Sequence, residues 1–255
     1  MIKLTLSLLF LFLVPEISFS QESAVREIAT RPGVKVKFLY EKAVNPIATA
    51  ILFAGGSGAI RIYPNGSTNA ESFLLRAKGA FLLSGVSVLI PDAPSDKNNL
   101  NDFRSTREHA DDNAALIAYL RKEESVPVWA IGTSNGSLSA VATTLNLKSE
   151  GPKGIVLAST VTKNPGSGAH SILTVPLENV TVPVLLVHHK DDPCYVSPYD
   201  GIKGVPALFK ATQKVELITV EGGTSGGGCY PNGYHQFVGI ENSVVSAIVE
   251  WIRTH

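Results

Sequence analysis

The chain has 255 residues, with 22 basic and 22 acidic side chains, so its formal net charge is zero. That balance leaves no basic surplus for nucleic acid and no charged tail. With 44% hydrophobic and 17% charged residues, the chain can bury one large core.

Met1-Ile2-Lys3 is followed by an apolar run from Leu4 to Val14, then Pro15, Glu16 and the small residues Ser18 and Ser20. One positive charge, a short apolar core and small residues describe a secretory signal peptide, with cleavage expected after Ser20. The apolar run is short for a bilayer span, so no stable membrane insertion is expected after cleavage. The alternative is an uncleaved anchor. No cysteine follows the run, which argues against a lipoprotein. Residues 21–255 are then expected to form a single secreted or periplasmic domain.

Val34 to Tyr40 alternates partly and reads as a half-exposed strand; Ile47 to Ala54 reads as a buried one. The latter runs into Gly55-Gly56-Ser57-Gly58, a turn rich in backbone N–H groups. Asn69 to Leu83 has apolar residues at helical spacing. Val86 to Ile90 is a strand, followed by a loop rich in Pro, Asp and Asn. Arg104 to Glu123 predicts a helix, with Ala110, Ala114, Leu116, Ile117 and Leu120 along one side. Strands are predicted at Val126–Ile131, Gly154–Ala158, Val184–His188 and Val215–Val220. Helices are predicted from about Asn135 to Lys148, at Ile202–Thr212 and at Ile240–Thr254. Short apolar strands alternating with helices mean βαβ units and a mostly parallel sheet.

The strand at 126–131 leads into Gly132-Thr133-Ser134-Asn135-Gly136 and then a helix. This is the sequence form of a nucleophile elbow, a strained strand-to-helix turn with one serine at its tip. A second match, Gly223-Thr224-Ser225-Gly226-Gly227, has neither the strand before it nor the helix after it, and reads as loop.

A serine hydroxyl needs a base within reach and an anion to orient that base. Downstream of Ser134, Asp191 and Asp192 follow one strand and His235 lies in the loop after the next. In a parallel sheet these loops share the carboxyl edge, where sites form. Asp192 is favoured over Asp191 because Pro193 restricts its backbone; Asp200 comes third. His188 and His189 read as packing groups, with a weak metal reading that adds Asp192. His109, His170 and His255 read as surface. Asn135 N–H, with Gly56 or Ser57 N–H, is the expected oxyanion pair. The two cysteines of an exported chain suggest a disulfide, Cys194–Cys229, tying the acid loop to the histidine loop. The alternative is two free thiols.

Gly132-Thr133-Ser134-Asn135-Gly136, Asp192-Pro193 and His235, in that order between βα units, resemble the α/β-hydrolase family. The resemblance covers about Ile47 to the C-terminus. It implies a three-layer fold, with a mostly parallel central sheet and helices on both faces. It also implies Ser134 as nucleophile, Asp192 as acid and His235 as base, with no cofactor and no metal. Two positions depart from the family pattern: Ala54-Gly55-Gly56 replaces its usual His-Gly, and His189 stands where it usually has glycine. Ser159 to Val182 leaves no room for a helical lid, so an open site for small-molecule or polymeric esters is expected. A peptidase or amidase using the same residues, and a catalytically silent binding protein on the same fold, are the competing readings.

Overall fold

The computed structural model describes residues 24–164, 170–212 and 214–255. The apolar N-terminal stretch and the expected cleavage point after Ser20 lie outside them.

Eight strands form one sheet: β1 (Ala24–Arg31), β2 (Val34–Glu41), β3 (Ala48–Phe53), β4 (Val86–Pro91), β5 (Val128–Thr133), β6 (Gly154–Ala158), β7 (Val184–His189) and β8 (Val215–Val220). Their spatial order is β1-β2-β4-β3-β5-β6-β7-β8. β1–β2 and β2–β4 pair antiparallel; every other neighbour pair is parallel. β3, β5, β6 and β7 are buried along their whole length, as strands covered on both faces must be.

The helices are α1 (Phe73–Leu83), α2 (Arg107–Glu123), α3 (Gly136–Leu147), the single turn α4 (Tyr199–Ile202) and α5 (Glu241–Arg253). α1 and α5 cover one face, where Phe73 packs edge-on against Phe237 and Trp129 against Trp251. α2 and α3 cover the other, with Leu116, Ile117, Leu120, Leu138 and Val141 in its core. α3 is apolar and small nearly all round because it is held between the sheet and α2.

Four expectations need correction. β1 was not predicted; it forms a hairpin with β2 across Pro32-Gly33, where Gly33 has φ +73°. α2 starts at Arg107, because the Thr106 hydroxyl accepts the His109 N–H (3.2 Å) and caps it there. Arg104 therefore lies outside the helix. His109 is buried, with its ring against Phe53 and Phe103. Finally, the helix expected at 202–212 is reduced to α4 and a 3-10 turn at Val205–Leu208. Gly201, Gly204 and Pro206 make a longer helix unfavourable there.

Candidate active site

Ser134 follows directly on β5, in the middle of the sheet, and has a left-handed backbone (φ +54°). Such strain costs about 1–3 kcal/mol and persists only where the surroundings impose it. They do so here. A Cβ on Gly132 would lie 2.3 Å from the Gly136 carbonyl oxygen, and one on Gly136 would lie 2.0 Å from the Phe53 carbonyl oxygen. Only glycines let β5, α3 and the end of β3 converge this closely. The Ser134 N–H donates to Ala158 O (2.9 Å), tying the turn to β6. A Cβ on Gly55 would sit 3.0 Å from the Ser134 Cβ, so the loop after β3 lies against the serine.

Asp192 comes three residues after the end of β7 and is buried, whereas Asp191 is exposed and Asp200 is exposed and paired with Lys203. Asp192 Oδ1 accepts the Cys194 N–H (2.9 Å). Its Oδ2 lies 2.8 Å from His235 Nδ1 and 3.2 Å from His188 Nε2. Burial pushes the Asp192 carboxyl pKa upward, but hydrogen bonds from His188 and His235 outweigh it and hold the pKa at about 2. The carboxylate is therefore ionised across the physiological range.

His235 is only 1% exposed and sits in a 3-10 turn, Tyr234–Gln236. Three contacts hold that turn. Tyr234 stacks on His189 (4.2 Å between ring centres). The Gln236 side-chain oxygen accepts the Phe73 N–H (2.8 Å) at the start of α1. Arg76 donates to Gln236 O (2.8 Å) and pairs with Glu241 (3.0 Å). His189 itself accepts the Asp191 N–H at Nδ1 (3.0 Å), so its Nε2 donates to Gly222 O (2.9 Å). One histidine thus joins the acid loop to the loop that leads to His235. A disulfide between Cys194 and Cys229 joins the same two loops. His188 Nε2 also lies 2.9 Å from Ser197 O, while its buried Nδ1 has no hydrogen-bond partner among the described residues. Among the described residues no group of three or more His, Cys, Asp or Glu is placed to hold a metal ion.

Ser134, Asn135, Gly56, Ser57 and Gln236 line one open cleft of about 860 Å³. That volume lies within the range of small-molecule sites. The structure thus brings the expected oxyanion residues and the serine into one cleft, and pairs Asp192 with His235 at the same edge of the sheet. Ser225 does not line the cleft.

Two supporting residues were not foreseen. Arg104 is a buried guanidinium that donates to Ser139 Oγ (2.7 Å), Ala54 O (3.1 Å) and Gly56 O (3.2 Å). Among the described residues no acidic side chain pairs with it. Burial lowers its pKa to about 9, so it remains a cation at neutral pH. Asn135 Nδ2 also donates to Gly56 O (3.1 Å). In a trans peptide, a carbonyl fixed inward turns the following N–H, that of Ser57, to the opposite side. Asp92 has a related task. Its carboxylate accepts the N–H groups of Ile60 (2.9 Å), Arg61 (3.2 Å) and Ile62 (2.9 Å), which pins the cleft wall. No sequence motif marks either residue, because each acts on backbone atoms of distant segments.

No protein-family model matches the sequence, and no curated protein matches it. Solved structures do. An esterase from Pyrococcus furiosus, Pf2001, superposes with a TM-score of 0.68 at 16% identity, covering 92% of this chain and 92% of that one. Est1E from Butyrivibrio proteoclasticus gives 0.64 at 16% identity, covering 91% and 98%. XC6422 from Xanthomonas campestris, described as an α/β serine hydrolase without lid, gives 0.60 at 14% identity, covering 92% and 96%. The sheet order, the turn after β5 and these superpositions agree: the chain has the α/β-hydrolase fold.

Proposed function

We propose that this protein is an exported serine hydrolase that cleaves an ester bond through Ser134, His235 and Asp192. The observation that carries the reading is the pairing of His235 Nδ1 with a buried, ionised Asp192 at 2.8 Å, on the sheet edge where the strained Ser134 turn opens into a cleft. With Nδ1–H given to Asp192, the other ring nitrogen of His235 is the basic one. It takes the proton as Ser134 Oγ attacks the ester carbonyl. The negative charge on the carbonyl oxygen is met by the Asn135 N–H together with the Gly56 or Ser57 N–H. The tetrahedral intermediate collapses, His235 protonates the leaving alcohol, and an acyl-serine remains. Water, deprotonated by His235, then releases the acid by the same steps in reverse. Arg104 supports this chemistry from behind, by fixing the Gly56 carbonyl.

Three further points support the reading. Among the described residues, the segment between β6 and β7 carries only two 3-10 turns, at Ile172–Thr174 and Leu177–Asn179. A disulfide fits an oxidising compartment. No helix among the described residues is long and apolar enough to cross a membrane. The test is release of p-nitrophenol from acetyl, butyryl and octanoyl esters by residues 21–255 and by Ser134→Ala. Turnover that vanishes in the variant supports the reading; equal turnover by both proteins sinks it.

A further inference from the structure

The cleft has two unlike walls. One is the loop from Gly55 to Ala59, where no side chain is larger than the hydroxymethyl of Ser57. The other is built around the disulfide. Tyr195 follows Cys194 in the chain and Tyr230 follows Cys229; both tyrosines line the cleft. The two cysteine Cα atoms are 4.4 Å apart. Adjacent Cα atoms are about 3.8 Å apart, so the two tyrosine Cα atoms lie within about 12 Å of each other. They are also the most exposed aromatic side chains described, at 69% for Tyr195 and 71% for Tyr230. Among the described residues neither phenol ring packs on another ring, and neither hydroxyl has a hydrogen-bond partner.

Two largely exposed rings therefore line the same cleft as a candidate nucleophile and the backbone-rich Gly55–Ala59 loop, and neither ring is covered by another. Among the described residues the charged side chains lining the cleft are Arg61 and Glu71, of opposite sign, so charge does not select the ligand. A long alkyl chain gains most from an enclosed tunnel, which this open cleft does not offer. A flat ring gains from one or two tyrosine faces while its other face rests against Gly55–Ala59.

We propose that Tyr195 and Tyr230 form an aromatic clamp, and that the protein's substrates are esters carrying an aromatic ring. The proposal rests on Ser134 being the nucleophile, and it names the substrate class for that site. The disulfide is then part of the recognition element, since it sets the spacing of the two rings.

The test compares methyl 3-phenylpropanoate with methyl hexanoate, using the wild type, Tyr195→Ala, Tyr230→Ala and the two Tyr→Phe variants. The wild type should prefer the phenyl ester. A lost ring–ring contact corresponds to roughly a three- to tenfold change. Each alanine variant should lose that much kcat/KM on the phenyl ester, chiefly through KM, and change less than about twofold on the alkyl ester. The phenylalanine variants should keep the preference. Equal effects on both esters, or none, would overturn the clamp. Binding of 3-phenylpropanamide to Ser134→Ala, followed by NMR line broadening, separates this proposal from the catalytic one. Binding that weakens in the tyrosine-to-alanine backgrounds supports the clamp even if neither ester turns over, a result that would count against the proposed chemistry alone. Absence of binding, with alkyl esters hydrolysed, would remove the clamp and leave the hydrolase.

Discussion

Replacing the disulfide, as Cys194→Ala with Cys229→Ser, should cost stability more than chemistry. The cysteines are 35 residues apart in the chain. For a closed loop of that length the chain-entropy model gives about 13 cal/mol/K, or about 4 kcal/mol at 25 °C. A domain of this size has a urea m-value near the upper end of the usual 1–3 kcal/mol/M, so the midpoint should fall by roughly 1–2 M. The site itself has other supports. Tyr234 still stacks on His189, Gln236 still accepts the Phe73 N–H, and Arg76 still holds the Gln236 carbonyl. Alkyl-ester turnover at 25 °C, measured where the variant is fully folded, should therefore fall less than about tenfold. The assay is urea unfolding followed by tryptophan fluorescence, with the oxidised wild type, the dithiothreitol-treated wild type and the double variant run side by side. A midpoint shift below about 0.3 M, worth under about 1 kcal/mol, would refute the chain-entropy argument. So would an unchanged midpoint accompanied by a thousandfold loss of turnover, because the disulfide would then act on the site and not on the chain.

Arg104→Met removes one of the two donors that fix the Gly56 carbonyl, leaving Asn135 Nδ2, and should lower kcat by about 10- to 100-fold with KM little changed, since an oxyanion donor is worth about 10²–10³. Arg104→Lys should recover part of it, and a loss in KM alone would contradict the positioning role. Asp192→Asn puts an amide where His235 Nδ1 needs an acceptor, which should cost kcat roughly 10⁴-fold while the protein stays folded. A loss below tenfold would mean that His235 is oriented by something else. Burial, helped by the charges of Arg104 and Arg31, lowers the His109 pKa from 6.5 to about 3, so the fold favours its neutral ring. That contribution is complete above pH 6.5 and is lost as the pH falls toward 3, by about 1.4 kcal/mol per pH unit. His109→Phe should flatten the stability profile between pH 6.5 and 4.5 in urea titrations, and a parallel profile would dismiss the argument. Asp192 acts in a separate window, because its depressed pKa withdraws stability only as the pH falls from 3.8 toward 2.

The central strand and its turn were legible because their requirements are local and steric. β5 must be apolar, and Gly132 and Gly136 have no alternative when a Cβ would strike backbone at 2.3 and 2.0 Å. The meeting of Asp192 and His235, in loops that leave the same sheet edge as the turn bearing Ser134, was legible from strand order alone, since parallel strands present their following loops together. Choosing between Asp191 and Asp192 needed one more step, the restriction imposed by Pro193, and the structure buries Asp192 while leaving Asp191 in solvent. β1 was missed although Pro32-Gly33 is a turn signal and Val25, Ile28, Val34 and Val36 flank it. His109 reads as surface in the sequence, but the structure buries it. It shares a helical stripe with Asn113 and Leu116, both buried. Arg104 and Asp92 were out of reach in principle. Their partners are carbonyl and amide groups of segments tens of residues away, and backbone atoms leave no trace in a sequence.

The most direct test of the catalytic account is covalent labelling of Ser134. Residues 21–255 would be treated with a fluorophosphonate, digested and mapped by mass spectrometry, with Ser134→Ala and Asp192→Asn as companions. The account predicts one phosphonylated serine, Ser134, labelled quickly in the wild type, far more slowly in Asp192→Asn and not at all in Ser134→Ala. Labelling of another serine, or no labelling of a folded wild type, would contradict it.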